Sequence, residues 1–137
     1  MKNIVFLLLL GGCVSQWPAN SYSDMTTGAD SEIITSAISE CTANLVPNHA
    51  IVYFGATAAD ALSLLLPEAL SRQGLQNNPS GTPLTYVVAS TGTNSQARTA
   101  EGAFVRVSGP RGTCAQYFSR DSNGVLQSAG PVMVVLQ

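Results

Sequence analysis

Basic residues are scarce in this chain. Its one lysine is Lys2, and beyond it five arginines face eight carboxylates, a net charge near −3. That balance excludes nucleic-acid binding through a basic patch. Only 10% of the residues are charged, and with so much Ser, Thr, Asn and Gln the surface reads as one partly covered by partners. Histidine is nearly absent as well. His49 follows Pro47 and precedes a strand, the setting of a loop residue rather than a base. Asp60 and Glu68 are eight apart, two turns of one helix and too far for paired-carboxylate chemistry. Asp60 reads as a helix cap and Asp121 as a turn residue. The sequence has no G-x-S-x-G, no P-loop and no H-E-x-x-H. A catalytic centre needs a nucleophile, a base and a group to orient them. The expectation is therefore a protein that is not an enzyme, with no cofactor and no metal site. Long apolar runs are missing too: Ile4 to Leu10 falls far short of the roughly 20 residues that cross a bilayer.

What stands at the N-terminus is one positive charge and that short apolar run, the pattern of a secretory signal peptide. Leu10, Gly11, Gly12 and Cys13 resemble the bacterial lipobox, a branched apolar residue and two small residues before cysteine. The resemblance implies that residues 1–12 are cut away and that the Cys13 thiol carries diacylglycerol, with a further acyl chain such as palmitate on the new amino terminus. An ordinary signal peptide with a chance cysteine is the alternative. Several acyl chains make a stable anchor where one gives marginal binding. Val14 stands where an Asp tends to hold such proteins at the inner membrane, so the lipid points to the outer membrane.

Removing residues 1–12 leaves 125 of 137, enough for one domain. Cys41 and Cys114 then remain, in an oxidising compartment where leftover cysteines most often pair. A bridge between them closes a loop worth about 4 kcal/mol in the chain-entropy model. Two buried free thiols are the other possibility. His49 is the only residue that could join them at a metal, and its spacing suits no ligand pattern.

Residues 13–29 read as a lipidated tether, rich in Pro, Gly, Ser, Asn and Thr with no apolar period. Trp17 and Tyr22 stand out in it, as residues for a membrane interface, for docking on a neighbouring subunit, or as part of a disordered arm. Residues 30–137 form the domain. Asp30 or Ser31 can cap a first helix whose buried face is Ile34, Ile38, Cys41 and Leu45, ended by Pro47. "HAIVYFG" (49–55) reads as a strand. "TAAD" (57–60) has capping-box spacing, and the helix after it runs to about Gln73, with Leu62, Leu65, Leu66, Ala69 and Leu70 apolar. Gly74 is its stop, and Pro67 should kink or split it. A polar loop, "QNNPSGTP", follows, and then only strands: "LTYVVAS" (84–90), "AFVRVSG" (103–109), "CAQYFSR" (114–120) and one or two more in "GVLQSAGPVMVVLQ" (124–137). "GPRG" and "DSNG" are turns, and residues 91–101 a polar loop. Arg106 and Arg120 lie on neighbouring strands, their charges toward solvent or a partner. The order gives an α+β domain, two helices packed on a small, mainly antiparallel sheet of four to five strands.

"PLTYVVAS", "FVRVSG" and "YFSRDSNGVLQSAGPVMVV" resemble the TrbH family of conjugal-transfer lipoproteins, with Tyr117, Arg120, Gly124, Val125, Ala129 and Gly130 in comparable places. "ALSLLLPEALSRQGL" is similar to that family's helix. Pro131 departs from an expected aromatic, and Cys41 and Cys114 are additions to the pattern. The resemblance implies a structural subunit of a conjugative type IV secretion system, the mating-pair apparatus. Its lipid would fix it to the periplasmic face of the outer membrane, within a ring-forming hetero-oligomer of outer-membrane core subunits. Other readings are a lipoprotein of another envelope machine, pilus or type II secretion, and a periplasmic ligand-binding or inhibitor module. The final strand is expected at a sheet edge, with Val132, Val134 and Leu136 facing one side and Met133 and Val135 the other. Met133, Val134 and Val135, with Trp17 and Tyr22, form the expected assembly surface. A strand buried in its own domain is the alternative.

Overall fold

The computed structural model describes residues 21–23, 28–54, 61–94 and 99–137. Two helices and eight strands occur in the order β1 (Tyr22–Ser23), α1 (Gly28–Leu45), β2 (Ile51–Phe54), α2 (Ala61–Arg72), β3 (Gln76–Asn77), β4 (Thr82–Asn94), β5 (Thr99–Gly109), β6 (Gly112–Arg120), β7 (Leu126–Ser128) and β8 (Met133–Leu136). The fold is α+β, as the sequence pattern indicates. The sheet has more strands than the four to five expected, because three two- or three-residue strands, β1, β3 and β7, are too short to leave an apolar alternation.

Strand order is β3-β2-β4-β5-β6-β7, with β1 also on β4 and β8 also on β6. The centre, β4-β5-β6, is an antiparallel meander. Strands β1 and β2 add in parallel to the outer side of β4, at Val87–Val88 and at Thr82–Leu84. The polar loop after α2 contains β3, which pairs in parallel with β2. The expected loop at 91–101 is instead largely hairpin: Thr93 pairs with Ala100 and Asn94 with Thr99. Backbone hydrogen bonding carries this ladder past the core, where no apolar residue marks it.

Helix α1 begins at Gly28, before the expected caps, so Asp30 and Ser31 lie within its first turns. Its stripe of Ile34, Ile38, Cys41 and Leu45 is buried. The buried hydroxyls beside that stripe are satisfied within the helix. Thr35 donates to the Ser31 carbonyl, Ser39 to Ser36 and Thr42 to Ile38, so this flank packs without an orphaned polar group. Helix α2 runs through Pro67 without splitting. The proline is exposed, while Leu62, Leu66, Ala69 and Leu70 are buried on both sides of it and hold the two halves to one core. The helix ends in a Schellman motif. Gly74, at φ +76°, donates to Ser71, and Leu75 donates to Leu70; Leu75 is itself buried. The capping box at 57–60, Asp60 included, lies outside the described residues. His49 is an exposed turn residue with φ 62°.

Both helices sit on one side of the sheet. Helix α1 packs on β5, β6, β7 and β8, and α2 packs on α1 and β3. Between them and the sheet lie Leu84, Tyr86 and Val88 of β4, Ala103, Val105 and Val107 of β5, and Cys114 and Phe118 of β6. A disulfide joins Cys41 of α1 to Cys114 of β6, Cα atoms 5.4 Å apart. Arg120 departs from the sequence reading. Its guanidinium grips Asp30 in a two-pronged ion pair at 2.8 and 3.0 Å and also donates to the Gly124 carbonyl. It does lie on the strand next to that of Arg106, but its charge meets Asp30, 90 residues earlier in the same chain. The hydrogen bond to Asp30 raises the Arg120 pKa above its usual value, with a smaller opposing effect from burial.

Candidate assembly surface

The outer side of β6 carries one edge strand made in two pieces. Strand β7 pairs Phe118 with Ser128 and Arg120 with Leu126, and β8 pairs Gly112 with Leu136 and Ala115 with Met133. Two residues of β6, Gln116 and Tyr117, are therefore opposite four of the edge, Ala129, Gly130, Pro131 and Val132. This is a two-residue bulge with proline in it, a device that blunts the middle of an edge. Nothing comparable protects β8. Residues 122–137 carry no charge, and Val132 to Leu136 are each 39–67% exposed.

Hydrogen-bond register shows which backbone groups of β8 are open. Gln137 donates to the Arg111 carbonyl at 2.8 Å, which makes 111/137 a directly bonded pair. In an antiparallel ladder bonded and non-bonded pairs alternate. The bonded pairs are then 113/135 and 115/133. The N–H and C=O groups of Val134 and Leu136 point away from β6. Their side chains share the helix side of the sheet with Cys114 and Gly112, while Met133 and Val135 share the opposite side with Ala115 and Thr113. Close approach of β8 depends on Gly112. A Cβ there would stand 2.2 Å from the Val135 carbonyl oxygen, and its φ is +152°.

Among the described residues the opposite side of the sheet has no helix on it. Register lines up Val87, Arg106, Ala115 and Met133 in one row and Ala89, Phe104 and Tyr117 in the next. The Phe104 and Tyr117 rings meet at 4.9 Å between centroids, tilted by 43°. Tyr117 and Arg106 are exposed.

Of the residues expected to assemble, Met133, Val134 and Val135 are thus together on one open edge. The alternative of a strand buried in its own domain does not hold. Tyr22 belongs to β1, its backbone beside Val87, on the far side of the sheet from β8. Trp17 and Cys13 lie outside the described residues. Among the described residues a depression of about 540 Å³ is lined by α1, α2 and the Gln116–Phe118 end of β6. Ile33, Ala37, Leu65 and Phe118 line it beside Glu32, Glu40, Glu68 and Arg72. Thr35 and Ala37, which also line it, lie on opposite flanks of α1 at 100° per residue. It is an open, half-polar surface around a helix.

No protein-family model matches the chain, and no curated protein or solved structure matches it either.

Proposed function

We propose that the protein is an outer-membrane lipoprotein that acts as a structural subunit of a conjugative type IV secretion channel, part of the mating-pair apparatus. The observation that carries the assembly part of this reading is the unguarded edge of β8. Strand addition needs a row of free backbone donors and acceptors with side chains that tolerate burial. Val134 and Leu136 supply the backbone groups, and the uncharged run from Val132 to Leu136 supplies the surface. A ligand-binding module needs a mostly apolar concavity that encloses its ligand, and the half-polar surface around α1 supports that reading less. The type of machine rests on the resemblance of residues 83–90, 104–109 and 117–135 to TrbH lipoproteins, and the lipid anchor on Leu10 to Cys13. In this reading Cys13 carries the lipid, the partners are larger outer-membrane core subunits in a ring, and Trp17 in the tether and Tyr22 of β1 add contacts to a neighbour.

The anchor is tested by Cys13→Ser. Radiolabelled palmitate incorporation should vanish, and the protein should stay unprocessed or leave the membrane. Unchanged labelling would contradict the lipobox. The machine is tested by deleting the gene in a conjugating host. DNA transfer should fall and return when the wild-type gene is supplied. Full transfer without it would remove conjugation from the proposal.

A further inference from the structure

Resting on the lipid-anchor reading above, we infer that the helix-free face of the sheet lies against the bilayer surface. Three observations meet here. The first is chemistry: on this face Val87, Phe104, Tyr117, Met133 and Val135 are interspersed with the neutral hydroxyls of Thr85, Ser108, Thr113 and Ser119, and its strands carry one charge among the described residues, Arg106. Strands β4, β5, β6 and β8 place no carboxylate on it among the described residues, and Asp121 just past β6 turns its carboxylate to accept from the Asn123 and Val125 amides, whereas Glu32, Glu40 and Glu68 are exposed on the helices. An anionic lipid surface attracts the first face and repels the second. Aromatic rings with a polar edge and a long arginine suit the headgroup level, where the ring or stem meets acyl chain and the polar end stays wet.

The second observation is reach. Cys13 and Ser21 are eight residues apart, at most roughly 28 Å of chain. Ser21 is fixed to the domain, its hydroxyl oxygen accepting from the Tyr86 amide at 3.0 Å. From β1 across β4, β5 and β6 to β8 the sheet is about 19 Å wide. That reach exceeds the width of the sheet, so the tether is long enough to let this face rest on the membrane that the acyl chains enter. The third is orientation. With the sheet flat on the lipid, the open edge of β8 points along the membrane plane, toward neighbours anchored in the same leaflet.

The test uses full-length lipidated protein in vesicles of phosphatidylethanolamine and phosphatidylglycerol with brominated acyl chains. Trp17 is the only tryptophan, so Trp17→Phe provides a dark background. Into it go Tyr117→Trp on the inferred face or Leu64→Trp on α2, both at exposed positions. Bromine should quench the reporter at 117 at least about twofold and leave that at 64 nearly unchanged, as expected for a face buried in the headgroup and acyl boundary. Adding Arg106→Glu and Met133→Glu should reduce the quenching at 117. Equal quenching at both sites, or none at 117, overturns the inference. So does self-association in detergent that protects 117 from an aqueous quencher, because a second copy then covers the face. The mass of the Cys13 peptide, taken from the same sample, separates the outcomes. An acylated peptide without quenching removes only this inference, and an unmodified peptide removes the anchor as well.

Discussion

Asp30 and Arg120 show how a single pair can tie the two ends of the domain. Asp30 lies in the first turn of α1, Arg120 closes β6, and both side chains are largely buried. Removing one partner leaves the other charge desolvated. Asp30→Asn should therefore cost roughly 3 kcal/mol, the low end for a broken buried pair, read from urea unfolding. A cost under about 0.5 kcal/mol would mean that the pair behaves as an exposed one. The raised pKa of Arg120 has a definite sign. Its contribution is complete below the ordinary arginine value and is lost only as pH rises through the still higher folded value, so arginine titration gives no pH dependence near neutrality. Strand period shows a residue's side of the sheet and its neighbours within an element, but a partner so distant in sequence leaves no local trace. Cys41 and Cys114 are also distant, yet their pairing was legible because once Cys13 is set aside only two cysteines remain.

At the scale of the element, β8 is held on one side and open on the other. The register predicts an asymmetry between adjacent positions. Val134→Pro removes an N–H that points outward, and proline is tolerated on an edge in that sense. Val135→Pro removes the N–H that reaches β6. The first should melt within a few degrees of wild type by circular dichroism and the second well below it. Equal melting temperatures would show the hydrogen-bond alternation to be misplaced. Gly112→Ala pushes a Cβ into the Val135 carbonyl. It should cost about 2 kcal/mol, as overpacking does, with faster amide exchange at Met133 and Val135. Removing the disulfide by Cys114→Ser should cost about 2–5 kcal/mol by the same unfolding measurement. The long apolar elements, α1, α2 and the cores of β4, β5 and β6, were legible because burial imposes a period on them. Strands β1 and β3 and the outer ends of β4 and β5 were not. Their pairing rests on backbone hydrogen bonds, which leave no mark on side-chain type.

The whole molecule has two unlike sides and two unlike edges. Helices cover one side of the sheet and carry the exposed Glu32, Glu40 and Glu68; among the described residues the other side presents aromatic and aliphatic side chains mixed with neutral hydroxyls around Arg106. On one edge β1 and β2 pair in parallel with β4, and the other offers β8. That β8 forms an edge was legible from its place after the meander. The bulge at Ala129 to Val132, which confines pairing to β8, was not, because "AGPV" reads equally as a loop between separate strands. The proposed role of this edge is to join the protein to the other subunits of the secretion channel. Its most direct test is affinity purification of tagged protein from detergent-solubilised envelopes, comparing wild type with Val134→Pro. Wild-type protein should bring outer-membrane core subunits of the conjugation system, identified by mass spectrometry, and the variant should lose them while keeping its membrane anchor and its melting temperature. Full retention of those subunits by a folded Val134→Pro variant, or their absence from the wild-type sample, would contradict it.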